Sequence, residues 1–324
     1  MSYFQNTSLS PSTIQAYEPR IRKWKEIVPG QSLDYIILFP KQSIRLLSQH
    51  LKERELAEKR AICTMNNLRN YISAILAILR HSPHVAPTLP DRHEYFLLWL
   101  GILDEASKPM KDRQKQHMPT VIQSKKGGSQ LTYEQILQKR DSGGLEMYGH
   151  LLLSMYTYIY PVRADYFATE IVYDDAEPAF PNYIRIRGDH SELVLRDFKT
   201  AKRYSAIRYE RLPDTLHRVI VQSLQSVPRS FLFAKPDGKP YTRNTFSQWA
   251  SRTLHTLFGV EMTLTLIRHQ FISTLSMELP ANELEAIGRL MGHSLSVQKL
   301  YKWYSASEKK EDGDEEADSE SEEE

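Results

Sequence analysis

Arg268, His293, Tyr301 and Tyr304 stand in one stretch of the chain, 264–304, and their types suit work on phosphate. A guanidinium cannot shed its charge and presents a planar fork that binds a carboxylate or a phosphate bidentately. A histidine moves protons near neutral pH, and a phenol is a nucleophile. Arg268 shares a helical face with Ile272 and Leu275, in a stripe that also contains Leu264, Phe271 and Leu279, so its charge lies on the core side and needs a fixed anion. Leu284, Ile287 and Met291 mark the next helix, with Asn282 and Glu285 as a predicted capping box and Gly292 as its stop; His293 then falls on the loop just beyond. Val297, Leu300, Tyr301 and Tyr304 mark a third short helix that turns both tyrosines inward. Taken singly, Arg268 also reads as a structural ion pair, His293 as a loop cap and the tyrosines as core aromatics. The order RHQF, LMGHS, KLYKWY is what joins them.

The elements that must position these groups begin with helices over 11–104. Ile14, Tyr17, Ile21 and Trp24 form a stripe that Pro19 must begin or kink; Ile44, Leu47 and Leu51 mark a second helix. Leu68, Tyr71, Ile72, Ile75, Leu76 and Leu79 mark a third, with Thr64 as its N-cap and with Arg69, Asn70, Ser73, Ala74, Ala77 and Arg80 on the opposite side. Asp91 and Glu94 form a capping box before a last helix, EYFLLWLGIL. From 108 to 128 the basic, Pro- and Gly-containing KPMKDRQKQHMPTVIQSKKGG reads as a linker. Beyond it Thr132 and Gln135 cap a helix, and an apolar helix over 144–159 runs into YIYPVRADYF, where Pro161 stops it and aims Arg163, with Asp165 two residues on. ATEIVYD, NYIRIRG, ELVLRDF and YSAIRYE read as strands, which places Lys199 and Thr200 at a hairpin tip or its edge. Pro213 and Thr242 start two further helices.

The totals bound the class. A chain of 324 residues, 41% apolar and 10% aromatic, suffices for two ordinary cores. Its single cysteine, Cys63, excludes an intramolecular disulfide and a cysteine zinc cluster. No basic-then-apolar leader opens the chain, and its longest apolar run, LLLSMYTYIYPV, is too short to span a bilayer, so a non-secreted protein with no membrane partner is expected. The net charge of +2 hides an asymmetry: 308–324 holds 11 acidic and 2 basic residues, and without it the body carries +11. Such a body suits a polyanion. The tail is expected to be disordered, and either aids solubility or shields the basic body.

The ordered motifs resemble the C-terminal signature of the tyrosine recombinases, the phage-integrase family, in which HxxRH is followed by LGHS and then a tyrosine. The resemblance implies an α+β fold, mainly α with a small antiparallel sheet. It implies a helical core-binding (SAM-like) DNA-binding domain at 1–107, the linker at 108–130, a catalytic domain at 131–307 and the acidic tail at 308–324. It assigns catalytic roles to Arg163, Lys199, Arg268 and His293, and to Tyr301 as nucleophile. Thr265 stands where the family has its first histidine. Lys302 occupies the usual tyrosine position, with Tyr301 one residue before it and Tyr304, the alternative nucleophile, two after. Tyr301 is preferred because VQKLY mirrors the usual run before the nucleophile and needs a one-residue deletion in a loop. The implied activity is site-specific DNA breakage and rejoining through a 3′-phosphotyrosyl intermediate, in the service of recombination or integration of a mobile element, without cofactor. Implied partners are double-stranded DNA and further copies of the chain, as a tetramer on paired sites, in a DNA-associated intracellular location. Arg69, Asn70, Ser73 and Arg80 form a candidate DNA-facing side of their helix or a plain solvated face. A DNA-binding architectural protein that keeps the fold without catalysis is the alternative function, and a relaxing enzyme of the type IB topoisomerase kind would share the chemistry.

Overall fold

In the computed structural model, which describes residues 3–4, 7–59, 65–82, 91–116, 118–119, 127–276 and 278–302, the chain divides into two units, Met1–Asp112 and Arg113–Glu324. Thr64 and Tyr304 lie outside the described residues.

The first unit is helical. Ser10 accepts from the Thr13 N–H and Pro11 occupies the first turn, so α1 (Pro11–Ile27) starts there and runs through Pro19. It is followed by α2 (Leu33–Leu38), α3 (Pro40–Glu58), α4 (Met65–His81) and α5 (Arg92–Lys115). Trp24 and Trp99 meet edge to face at 5.6 Å, and their indole N–H groups donate to Ser43 O at 3.1 Å and Ile37 O at 3.2 Å, so two large rings are buried without a stranded donor. Two expectations change here. The small-residue side of α4 is not open, because Ala74 and Ala77 are buried with the rest of the core; a helix this apolar is covered nearly all round. The stretch 108–115, read as linker, is the end of α5: Lys, Met, Arg and Gln are good helix formers and carry the helix past Pro109.

The second unit opens with α6 (Tyr133–Asp141), started by the predicted Thr132–Gln135 capping box, and the apolar α7 (Met147–Thr157). A four-stranded sheet follows in the order β1 (Glu170–Tyr173), β2 (Tyr183–Ile186), β3 (Ser191–Leu195), β4 (Ile207–Tyr209). The sheet is mixed rather than wholly antiparallel: β1 pairs parallel with β2, in register Glu170 with Tyr183, while the other pairs are antiparallel. The chain returns between the parallel strands by a loop tied to Glu170, whose carboxylate accepts the Ala179 N–H at 2.7 Å and the Phe180 N–H at 3.0 Å. A one-turn helix, α8 (Ala201–Tyr204), interrupts the β3–β4 connection. The remaining helices are α9 (Asp214–Ser226), α10 (Arg243–Phe258), α11 (Leu264–Thr274), α12 (Ala281–Leu290) and α13 (Leu295–Tyr301). Helix α12 starts at Pro280 with no side-chain cap, so the expected Asn282–Glu285 capping box does not form there. One core built from α7, the sheet and α9–α11 underlies the unit. Among the described residues no helix is long and apolar enough to cross a membrane.

Candidate active site

The site is built around the turn that ends α12. Gly292 adopts φ +68°, a left-handed conformation that glycine reaches without penalty, and the turn exposes two consecutive carbonyls. Arg268, on α11, donates through Nη1 to Met291 O and to Pro161 O, both at 2.9 Å. Arg163 donates through Nη1 to Gly292 O at 3.0 Å, and Thr200 Oγ1 donates to the same carbonyl at 2.7 Å. Two arginines from distant parts of the sequence and the loop that carries Lys199 thus meet at one turn. Lys199 itself is exposed on that loop, one residue before Thr200.

Arg268 has 0% of its surface exposed, and its Nε and Nη2 donors are buried without an acceptor. Burial lowers its pKa to about 10, with Arg163 adding to the shift and the Tyr301 phenol opposing it, so it stays charged at neutral pH. Among the described residues no carboxylate pairs with it directly; Asp165, 1% exposed, is committed to the Arg163 N–H at 3.2 Å and to an ion pair with Arg243. A guanidinium held this way can take up an anion through the donors that face no acceptor.

Tyr301, the last residue of α13, covers that cation. Its ring lies 5.1 Å from the Arg268 guanidinium carbon, 4.5 Å from the His269 ring and 5.6 Å from the His293 ring, nearly parallel to the last at 14°. His293 is 2% exposed, and burial together with Arg268 drives its pKa down to about 3, so the imidazole is neutral. Its Nδ1 lies 3.1 Å from Ser294 O, a group that only accepts, so the proton is on Nδ1 and the buried, unpartnered Nε2 carries the lone pair. His269 is likewise neutral, lowered to about 4 by burial, and donates from Nδ1 to the Tyr301 carbonyl at 2.7 Å.

The predicted residues Arg163, Arg268, His293 and Tyr301 therefore come together, with Lys199 on the adjoining loop. Thr265 is exposed on the first turn of α11. Lys302 is buried and points its ammonium at Leu275 O, 3.0 Å away at the end of α11. In the first unit, Arg69 donates to Met110 Sδ at 3.0 Å, the Arg80 guanidinium lies 5.1 Å from the Phe96 ring, and Asn70 and Ser73 are half-buried.

Three supports were missed in the sequence. His269 follows Arg268 about 100° round the helix, yet packs on the same tyrosine because Tyr301 spans both positions. Asn182, 1% exposed, donates to Asp165 O at 3.0 Å and Asp197 O at 2.9 Å and accepts from Arg196 N and Asp197 N, clamping the Arg163 turn to the base of the Lys199 loop. Arg243 spans the same two segments through the Asp165 carboxylate and Asp197, the latter at 3.2 Å. The RH dipeptide hinted at the first; nothing local marks the other two.

No protein-family model matches this sequence, and no curated protein sequence matches it. Among solved structures, the chain is similar to lambda integrase, residues 75–356, determined as a dimer bound to a COC′ core site. That match has 12% identity, covers 92% of this chain and 90% of the other, and has a TM-score of 0.51. Weaker likenesses are to XerA recombinase, at 13% identity, 95% and 93% coverage and a TM-score of 0.41, and to XerH site-specific recombinase bound to its difH substrate, at 13%, 97% and 99%, and 0.39. With its small four-stranded sheet flanked by helices, the chain has the fold of the tyrosine recombinases.

Proposed function

We propose that this protein is a site-specific recombinase or integrase that breaks and rejoins duplex DNA through a 3′-phosphotyrosyl link. The observation that carries the reading is the buried Arg268, with two unpaired donors beneath the Tyr301 ring and Arg163 at the same turn.

A scissile phosphodiester is an anion that those donors fit. Its non-bridging oxygens take the donors of Arg268 and Arg163, a preorganised clamp of a kind worth roughly 3–4 kcal/mol per donor in transition-state stabilisation. To admit it, the Tyr301 ring swings off the guanidinium, which brings the phenol oxygen alongside the phosphorus. The phenol oxygen then forms a bond to phosphorus as the bond to the 5′ oxygen breaks. Lys199 gives its proton to that leaving oxygen, and the phenolic proton passes to the Nε2 lone pair of His293 or to water. Burial is the main cause of the neutral His293, with Arg268 and Arg163 adding to it; the negative phosphate offsets those two charges, so its basicity rises when substrate is bound. Rejoining reverses these bonds, with a 5′-hydroxyl as nucleophile, and the energy kept in the phosphotyrosyl ester makes ATP and metal unnecessary. Lys302, engaged at Leu275 O, is outside this chemistry, and the ring of Tyr301 over Arg268 supports it as nucleophile. The +11 body supplies the attraction for duplex DNA, and strand exchange needs further copies of the chain, as a tetramer on paired sites.

The test is trapping on a nicked suicide duplex carrying the protein's own site, recovered as DNA cross-linked to purified protein. The wild type forms an SDS-resistant adduct and Tyr301→Phe forms none. An adduct that persists in Tyr301→Phe and disappears in Tyr304→Phe moves the nucleophile; specific DNA binding with no adduct in any variant favours the architectural reading.

A further inference from the structure

Two guanidinium groups beside the candidate active site are not used by the chemistry above. Arg203, on α8, and Arg289, in the last turn of α12, line two adjoining clefts of about 120 and 570 Å³, with Tyr204 shared between them. The smaller cleft continues along His293, Ser294 and Leu295, so it opens next to the turn where Arg163 and Arg268 meet.

Among the described residues neither guanidinium has a carboxylate partner, whereas Arg54, Arg140, Arg187, Arg211 and Arg243 are each ion-paired. Glu285 lines the smaller cleft without closing on either. The Arg203 guanidinium lies 5.4 Å from the ring of its neighbour Tyr204, which supports the plane of the cation and leaves its donor edges free. The backbone is bent to present this pair: Ser205 takes φ +59°, rare for a residue with a side chain, and is held by its N–H to Ala201 O at 2.8 Å, with Ala206 N donating to Tyr204 O at 2.7 Å. A cleft of about 120 Å³ is smaller than the roughly 300–1,000 Å³ of a small-molecule site, and its cations select an anion of phosphate size. The larger cleft gives a chain of such groups room to continue.

We propose that Arg203 and Arg289 grip a second phosphodiester of the DNA strand, neighbouring the one engaged by Arg163 and Arg268. The proposal rests on the DNA-cleaving reading above. The grip fixes where the strand runs past the site without reading bases, since phosphate contacts position and carry no sequence information. Glu285 sets a repulsive limit on the same cleft.

The experiment is fluorescence anisotropy with the full-length protein and an arbitrary duplex of about 30 base pairs, at salt concentrations from about 50 to 200 mM. One phosphate contact contributes a slope of about 0.9 in log K against log salt. The Arg203→Gln/Arg289→Gln double variant therefore loses about 0.9 of the wild-type slope and binds more weakly at every salt concentration. Glu285→Gln binds more tightly. Arg211→Gln removes one positive charge that is already paired with Asp189 and Asp214, and leaves the slope as it was. An unchanged slope in the double variant overturns the site, as does an equal loss in Arg211→Gln, which would make the effect one of net charge alone. Wild-type protein that does not bind duplex DNA at all sinks the DNA reading and this site with it.

Discussion

At the scale of single residues, the site is held in a protonation state that its own burial imposes. His293 and His269 are both neutral, with pKa values lowered to about 3 and about 4. In the unfolded chain each binds a proton near pH 6.5, so as pH falls the unfolded state takes up protons that the folded state refuses. The sign follows: both histidines contribute stability that is fully present above about pH 6.5 and is lost as pH falls toward their folded values. Between about pH 6.5 and 5 the loss is at most roughly 2 kcal/mol for each histidine. Thermal melting across that range should show a steep acid limb that flattens in His269→Gln and flattens again in the double variant with His293→Gln; an unchanged limb would mean that these rings are solvated.

At the scale of elements, the turn between α12 and α13 is the joint of the site. A Cβ added at Gly292 would meet Phe198, Ile207 and Thr200 at 3.4–3.5 Å, ordinary contact distances, so the cost of a side chain there is conformational. Gly292→Ala is expected to lose about 1–2 kcal/mol in chemical denaturation, and Gly292→Asn less, because asparagine tolerates the left-handed region. Gly288, one turn before, is different: its φ is ordinary, but a Cβ would lie 2.9 Å from His293 O and 3.0 Å from Gln298 Oε1. Gly288→Ala should push the His293 loop and cost about 1–3 kcal/mol by overpacking, with adduct formation falling more than its stability alone explains. Comparing adduct yield with melting temperature for the two alanine variants separates a turn that is strained from one that is displaced.

At the scale of the whole molecule, the two units carry separate cores, one around Trp24 and Trp99 and one around α7, the sheet and α9–α11, with no residue in common. Two cores of this kind need not melt together. Calorimetry should resolve two transitions, and Trp24→Ala, which empties the middle of the first core at a cost of about 3–5 kcal/mol, should shift one and leave the other in place. A single transition that moves as a whole would show that the units unfold as one.

The sequence by itself determined the parts. Helical stripes, the Thr132 and Thr242 caps, four β-rich segments and the order Arg163, Lys199, Arg268, His293 and Tyr301 are all local in the chain, and local propensity and periodicity are set by neighbours in sequence. It also contained the question of Lys302, since the spacing after the histidine departs from the family pattern by one residue. Only the tertiary structure decided what those parts do to one another. That β1 runs parallel to β2, that α5 continues to Lys115, that Ala74 and Ala77 are buried and that Lys302 turns to Leu275 O while Tyr301 lies over Arg268 follow from packing between segments far apart in sequence. So do the Asn182 and Arg243 clamps, whose partners are brought close only by the closed fold. Burial and the field of distant charges leave no mark on a residue's neighbours in sequence, and they are what strip His293 of its charge and lower the pKa of Arg268.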